Sequence, residues 1–101
     1  LDEKIQPLLK KIVEGIRLEL NISIDPHEFA EKFMYHIMFM INRLRYNVHI
    51  DNPMFEDIHY KYPLAFKMAE IAARVIGEEA EVAVTQAELG YLQLILGCSL
   101  K

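Results

Sequence analysis

Asp25-Pro26-His27-Glu28-Phe29-Ala30-Glu31-Lys32-Phe33-Met34-Tyr35-His36-Ile37-Met38-Phe39-Met40-Ile41-Asn42-Arg43-Leu44 is the stretch that decides the fold class of this chain. Its start is that of a helix. Aspartate caps, proline takes the first helical position, where its missing N–H costs nothing, and a glutamate three residues after the cap completes a capping box. Two stripes then run along the helix at alternating spacings of four and three. Ala30, Met34, Ile37, Ile41, Leu44 and Val48 are wholly apolar and are expected to be core. Phe29, Phe33, His36, Met40, Arg43 and Asn47 turn from apolar to polar along their length, which puts His36 at the core's margin. His36 and Arg43 are seven residues apart, almost two turns, so they share a face about 10 Å apart along the axis. Helical side chains lean toward the N-terminus, which aims the arginine back at the imidazole, and a phosphate on the histidine would suit that geometry.

The rest of the chain reads the same way. Ile5, Leu8, Leu9, Ile12, Ile16 and Leu20 recur at helical spacing, so residues 3–20 form an amphipathic helix, with Pro7 tolerable because it lies near the start. Asn52-Pro53 opens a short helix from Met54 to about Tyr60, which Tyr62-Pro63 breaks. Leu64 to Ile76 resumes as a helix stopped by Gly77, and the acidic segment from Glu78 to Val84 reads as a loop. Thr85-Gln86-Ala87-Glu88 is a second capping box, followed by the apolar face Leu89, Leu92, Ile95 and Leu96, with an end at Gly97. Four to five helices and no convincing strand predict a compact all-α bundle.

Size and charge narrow the function. The 101 residues fit a single domain, and 52% apolar with 26% charged residues is ordinary globular composition. Eleven basic against fifteen acidic residues give a net charge of −4 and no cationic stripe, which argues against direct nucleic-acid binding. No segment approaches the roughly twenty apolar residues of a membrane span, and Leu1-Asp2-Glu3-Lys4 has no secretory layout. The single cysteine, Cys98, can form no internal disulfide, so a cytoplasmic setting is expected. Leu1 is not an initiator methionine, and we expect a module cut from a longer protein.

Two residue groups invite competing readings. His27, His49 and His59, with Asp51, Glu56 and Asp57 nearby in sequence, suggest metal, but they lack the i, i+4 histidine pairing of helical zinc sites, and no metal is expected. The five methionines, Met34, Met38, Met40, Met54 and Met68, fit core packing better than a cofactor box, so no cofactor is expected either. No serine or cysteine nucleophile stands with a base, and no glycine-rich phosphate loop is present. Glu88 is explained by its capping box with Thr85 and is assigned no chemistry.

The run from His36 to Leu44, then Asn52-Pro53, then Tyr62-Pro63-Leu64-Ala65-Phe66, then Glu88-Leu89-Gly90-Tyr91-Leu92, resembles the phosphotransferase-system regulation domain (PRD) of bacterial transcriptional antiterminators and activators. The likeness spans nearly the whole chain. It implies a helical bundle that pairs as a homodimer inside a larger regulator and is phosphorylated on histidine by a phosphocarrier protein or enzyme IIB component. By resemblance, His36 is the phosphoacceptor; from its spacing on the same helix face, Arg43 is expected to contact the phosphate or orient the site.

The chain departs from the pattern at two positions. The family's aspartate before the histidine is Tyr35 here, and its second histidine falls at Ile95. These departures fit one acceptor site, or a site that has decayed in a domain serving mainly dimerisation. In the first case the domain is a switch rather than a catalyst, since neutral imidazole accepts a group of roughly two negative charges that a carrier delivers. In the second it is a structural, signal-transmitting module. A small-ligand-binding bundle is a third possibility, for which the sequence offers no convergent polar groups.

Overall fold

The computed structural model describes residues 3–51 and 60–97. Helix α1 spans Ile5–Leu20, α2 Pro26–Arg45, α3 Pro63–Ala80 and α4 Gln86–Gly97, and the described residues contain no strand. The all-α bundle expected from periodicity is what forms. The short helix expected from Met54 lies outside the described residues apart from Tyr60 and Lys61, which are helical.

The helix ends follow local chemistry. Asp25 Oδ1 accepts from the backbone N–H groups of His27 at 2.9 Å and Glu28 at 3.3 Å, satisfying two donors that the first turn of α2 leaves unpaired. The capping box is only half made, because the Glu28 carboxylate reaches forward to Lys32 Nζ at 2.9 Å instead of back to the cap. Helix α1 ends on Asn21 at φ 57°, a left-handed position asparagine tolerates, and Asn47 at φ 57° turns the chain just beyond α2. That turn carries Val48 into solvent, away from the core stripe to which periodicity assigned it. Tyr62 interrupts the helical run, as expected, and α3 starts one residue before the expected Leu64, with Pro63 in its first turn.

Gly77 does not stop α3, which runs on to Ala80, so the predicted loop from Glu78 begins only at Glu81. Glycine lowers helix propensity by only about 1 kcal/mol, and burying Ile76 and Ala80 on either side of Gly77 outweighs that. The terminator is Glu81, left-handed at φ 56°. Gly77 has a packing reason, since a Cβ there would stand 3.2 Å from the Val82 carbonyl oxygen, where the chain folds back.

Helix α1 lies centrally, packed on α2 and α3, and α3 packs on α4. Its buried residues Ile5, Leu8, Leu9, Ile12, Val13 and Ile16 meet Phe29, Phe33, Ile37, Met40 and Ile41 of α2 and Met68, Ala69, Ala72 and Ile76 of α3 in one apolar cluster. The buried face of α2 therefore falls between the two stripes read from the sequence, with Met40 fully enclosed and Met34 and Leu44 at its edge. The backbones of α2 and α4 approach less closely than those three pairs, and long side chains bridge the space between them. No helix among the described residues is long and apolar enough to cross a membrane.

Asp25→Ala removes the acceptor for two N–H groups and is expected to destabilise the bundle by about 1 kcal/mol. For a domain of this size that is a fall of roughly 4–8 °C in Tm, read by thermal melting.

Candidate functional site

The site is built between α2 and α4. Two turns of α2 carry His36 and Arg43, and one turn of α4 carries Glu88 and Tyr91, which at i, i+3 share a face. Arg43 does not aim back along its own helix at His36, as its spacing had suggested. It crosses to α4 and grips Glu88 side-on, Nε to Oε2 and Nη2 to Oε1, both at 2.8 Å. Glu88 is 1% exposed and Arg43 25%, so this fork-to-fork pair is largely removed from water. The hydrogen bonds to Glu88 hold the Arg43 guanidinium above the ordinary arginine range, against a smaller opposing effect of burial.

Tyr91 stands between the two α2 residues. Its ring lies under the Arg43 guanidinium, with Cζ 5.4 Å from the ring centroid, close enough for a cation–π contact. Its hydroxyl oxygen is 2.5 Å from Nδ1 of His36, and the two rings are tilted at 59° with centroids 6.0 Å apart. The imidazole is exposed as a side chain, and Nδ1 is the ring nitrogen that Tyr91 engages. Chemically this is an imidazole held by one edge, near a guanidinium fixed over the same tyrosine ring. Glu88 and the Nε/Nη2 edge of Arg43 satisfy each other, which leaves the Nη1 amino group uncommitted to Glu88.

Two members of this contact cluster were not found by sequence reasoning. Glu88 was assigned only a cap. Half of that cap forms, with the Glu88 N–H donating to Thr85 Oγ1 at 3.3 Å, but its carboxylate serves Arg43. Tyr91 was quoted only as part of a motif. Their i, i+3 spacing was the available signal, and it acquires meaning only when α2 is known to face them.

The remaining candidates are scattered. Tyr35, at the position where an aspartate was expected, is exposed and packs beside Phe39 with ring centroids 6.4 Å apart. Ile95, at the second-histidine position, is buried in the apolar cluster. His27 pairs with Glu31 one turn on at 2.9 Å on an open surface, and His49 is exposed beyond α2. His59, Glu56 and Asp57 lie outside the described residues, and among the described residues no three potential ligands cluster around a metal position.

Comparison with known proteins fits this architecture. The PRD domain family matches residues 10–98, and the chain belongs to that family. It is 30% identical over 102 residues to a probable licABCH operon regulator of Bacillus subtilis, a match covering 100% of this chain and 16% of that protein. It is 26% identical over 93 residues to the protein GlcT of Staphylococcus aureus, covering 89% of this chain and 33% of GlcT. The crystal structure of GlcT CAT-PRDI superposes with a TM-score of 0.86 at 24% identity, over 99% of this chain and 59% of that one. The chain thus spans only a fraction of the length of these relatives.

Breaking the ion pair tests its place in the fold. Arg43→Leu strands a buried carboxylate and is expected to cost about 2–4 kcal/mol in chemical denaturation. The double variant Arg43→Leu/Glu88→Leu, with no charge left to bury, is expected to recover at least half of that loss. Because folded Arg43 titrates above its unfolded value, its contribution is complete below the ordinary arginine range and declines only as pH rises through the raised value. From the arginine side the loss is therefore flat across neutral pH.

Proposed function

We propose that residues 1–101 act as a regulatory phosphoacceptor domain of a bacterial transcriptional regulator. A protein of the sugar phosphotransferase system, a phosphocarrier or an enzyme IIB component, transfers a phosphoryl group to His36, and the modified domain alters pairing with a second copy and so the output of neighbouring domains. Family membership supports the regulatory setting, and the B. subtilis relative is named as an operon regulator. The observation that carries the reading is an exposed imidazole held at Nδ1 by Tyr91, with the Arg43 guanidinium over the same tyrosine ring.

The chemistry needs little from this chain. A neutral imidazole nitrogen attacks phosphorus, the bond between phosphorus and the donor side chain breaks, and the proton given up by the acceptor ring is balanced by the one the released donor group takes up. The product brings roughly two negative charges to the exposed edge of α2. Arg43 answers that charge with its Nη1 group while its other edge stays on Glu88, so the cation need not abandon a buried carboxylate to meet the phosphate.

The test is phosphotransfer in solution. Incubated with the general phosphocarrier, enzyme I and phosphoenolpyruvate, the domain is expected to gain the mass of one phosphate, and His36→Ala is expected to gain none. Sedimentation of the two forms then reads whether pairing changes. No mass gain in the unaltered protein favours the structural, unphosphorylated role.

A further inference from the structure

We propose that Tyr91 is a positioning residue which, by occupying Nδ1 of His36, makes Nε2 the nitrogen that forms the bond to phosphorus. This rests on His36 being the acceptor, as proposed above, and adds the atom and the residue that selects it. An imidazole offers two nitrogens, and in a freely rotating exposed histidine either can react. Here the hydroxyl oxygen of Tyr91, carried on α4, lies 2.5 Å from Nδ1, inside the space that a phosphorus bonding there would need. Nε2, across the ring, is the nitrogen that Tyr91 does not engage, on a histidine that is itself exposed.

The tyrosine cannot easily step aside. Its ring lies beneath Arg43, and Arg43 is tied at 2.8 Å through two hydrogen bonds to Glu88, one turn before Tyr91 on the same helix. Glu88 is fully buried, so the support under the hydroxyl is anchored in the bundle.

A hydroxyl suits this place because it can both accept and donate. For Nε2 to present a lone pair, the neutral ring carries its proton on Nδ1, and that N–H donates to the tyrosine oxygen. As the Nε2–phosphorus bond forms and the donor's bond to phosphorus breaks, the Nδ1 proton is released, and the hydroxyl rotates to donate to the bare nitrogen. Tyr91 therefore bonds the ring before and after transfer and never becomes a barrier to it.

The experiment uses potassium phosphoramidate as the donor, so it does not depend on any phosphotransferase protein. In that reaction the phosphoramidate phosphorus–nitrogen bond breaks, and ammonia leaves as ammonium with the proton the ring gives up. The 15N-labelled chain is treated and the histidine rings are read by long-range proton–nitrogen correlation, with the exposed His49 as the reference ring.

His36 is expected to carry phosphorus on Nε2. Tyr91→Phe is expected to take up phosphate about tenfold more slowly, the usual scale for losing a partner that orients a working histidine. Tyr91→Ala is expected to give both Nε2 and Nδ1 products. Circular dichroism of Tyr91→Phe should match the unaltered protein, and a merely structural tyrosine would leave the site of attachment unchanged. Phosphorus on Nδ1 of the unaltered protein, no modification of His36, or a Tyr91→Phe variant with unaltered rate would overturn the proposal. Nε2 attachment from phosphoramidate together with no transfer from the phosphotransferase proteins would leave this inference standing and remove the proposed function.

Discussion

A carboxylate with almost no exposure, closed on by one guanidinium, is the constraint from which the rest of the site follows. An unpaired Glu88 could not stay ionised where it sits without a penalty of several kcal/mol, and Arg43 offsets this with two short parallel hydrogen bonds. The geometry of a side-on pair is strict, so it sets both the rotation of α4 about its axis and the reach from α2. Tyr91, one turn beyond Glu88, is carried into its place by that rotation. The position of the hydroxyl against His36 is thus a consequence of an ion pair that does not touch the histidine at all.

This explains why two helices with a looser backbone approach than the packed pairs still hold directional contacts. The apolar cluster joins α1 to α2 and α3 through ridges of isoleucine, leucine and alanine, and such packing accepts modest slides. Between α2 and α4 the links are a fork, a ring face and a hydroxyl, each with a preferred direction. Hydrocarbon packing makes the bundle stable, and the polar bridge makes one orientation of α4 better than its neighbours. An exchange of the pair for leucines would keep much of the stability and lose that direction.

How much of this could be read beforehand follows from the range of the interactions involved. The helices were legible because caps and spacing are local: Asp25-Pro26 started α2 where expected, and Tyr62-Pro63 broke the helical run just ahead of α3. Gly77 misled because its single-residue propensity was weighed without the burial of Ile76 and Ala80 around it. His36 and Arg43 were recognised as sharing a helix face, but the direction of the arginine was not, since its partner lies 45 positions away. Glu88 was passed over because a local capping role seemed sufficient, and it does hold half of that role. A local explanation that suffices hides a distant one whenever the same residue uses its backbone for the first and its side chain for the second.

The same division clarifies the two departures from the family pattern. Ile95 packs in the apolar cluster, so its position contributes to the core and offers no second polar centre. Tyr35 is different, because it is exposed and packs beside Phe39, leaving Tyr91 as the group that engages the His36 ring. A carboxylate in contact with the ring would stabilise its cationic form, whereas a phenol bonds the neutral ring and adds no charge. Neutral imidazole is the form that has a lone pair to give. An orienting phenol therefore fixes one edge of the ring through a directional hydrogen bond without bringing a charge of its own to that surface.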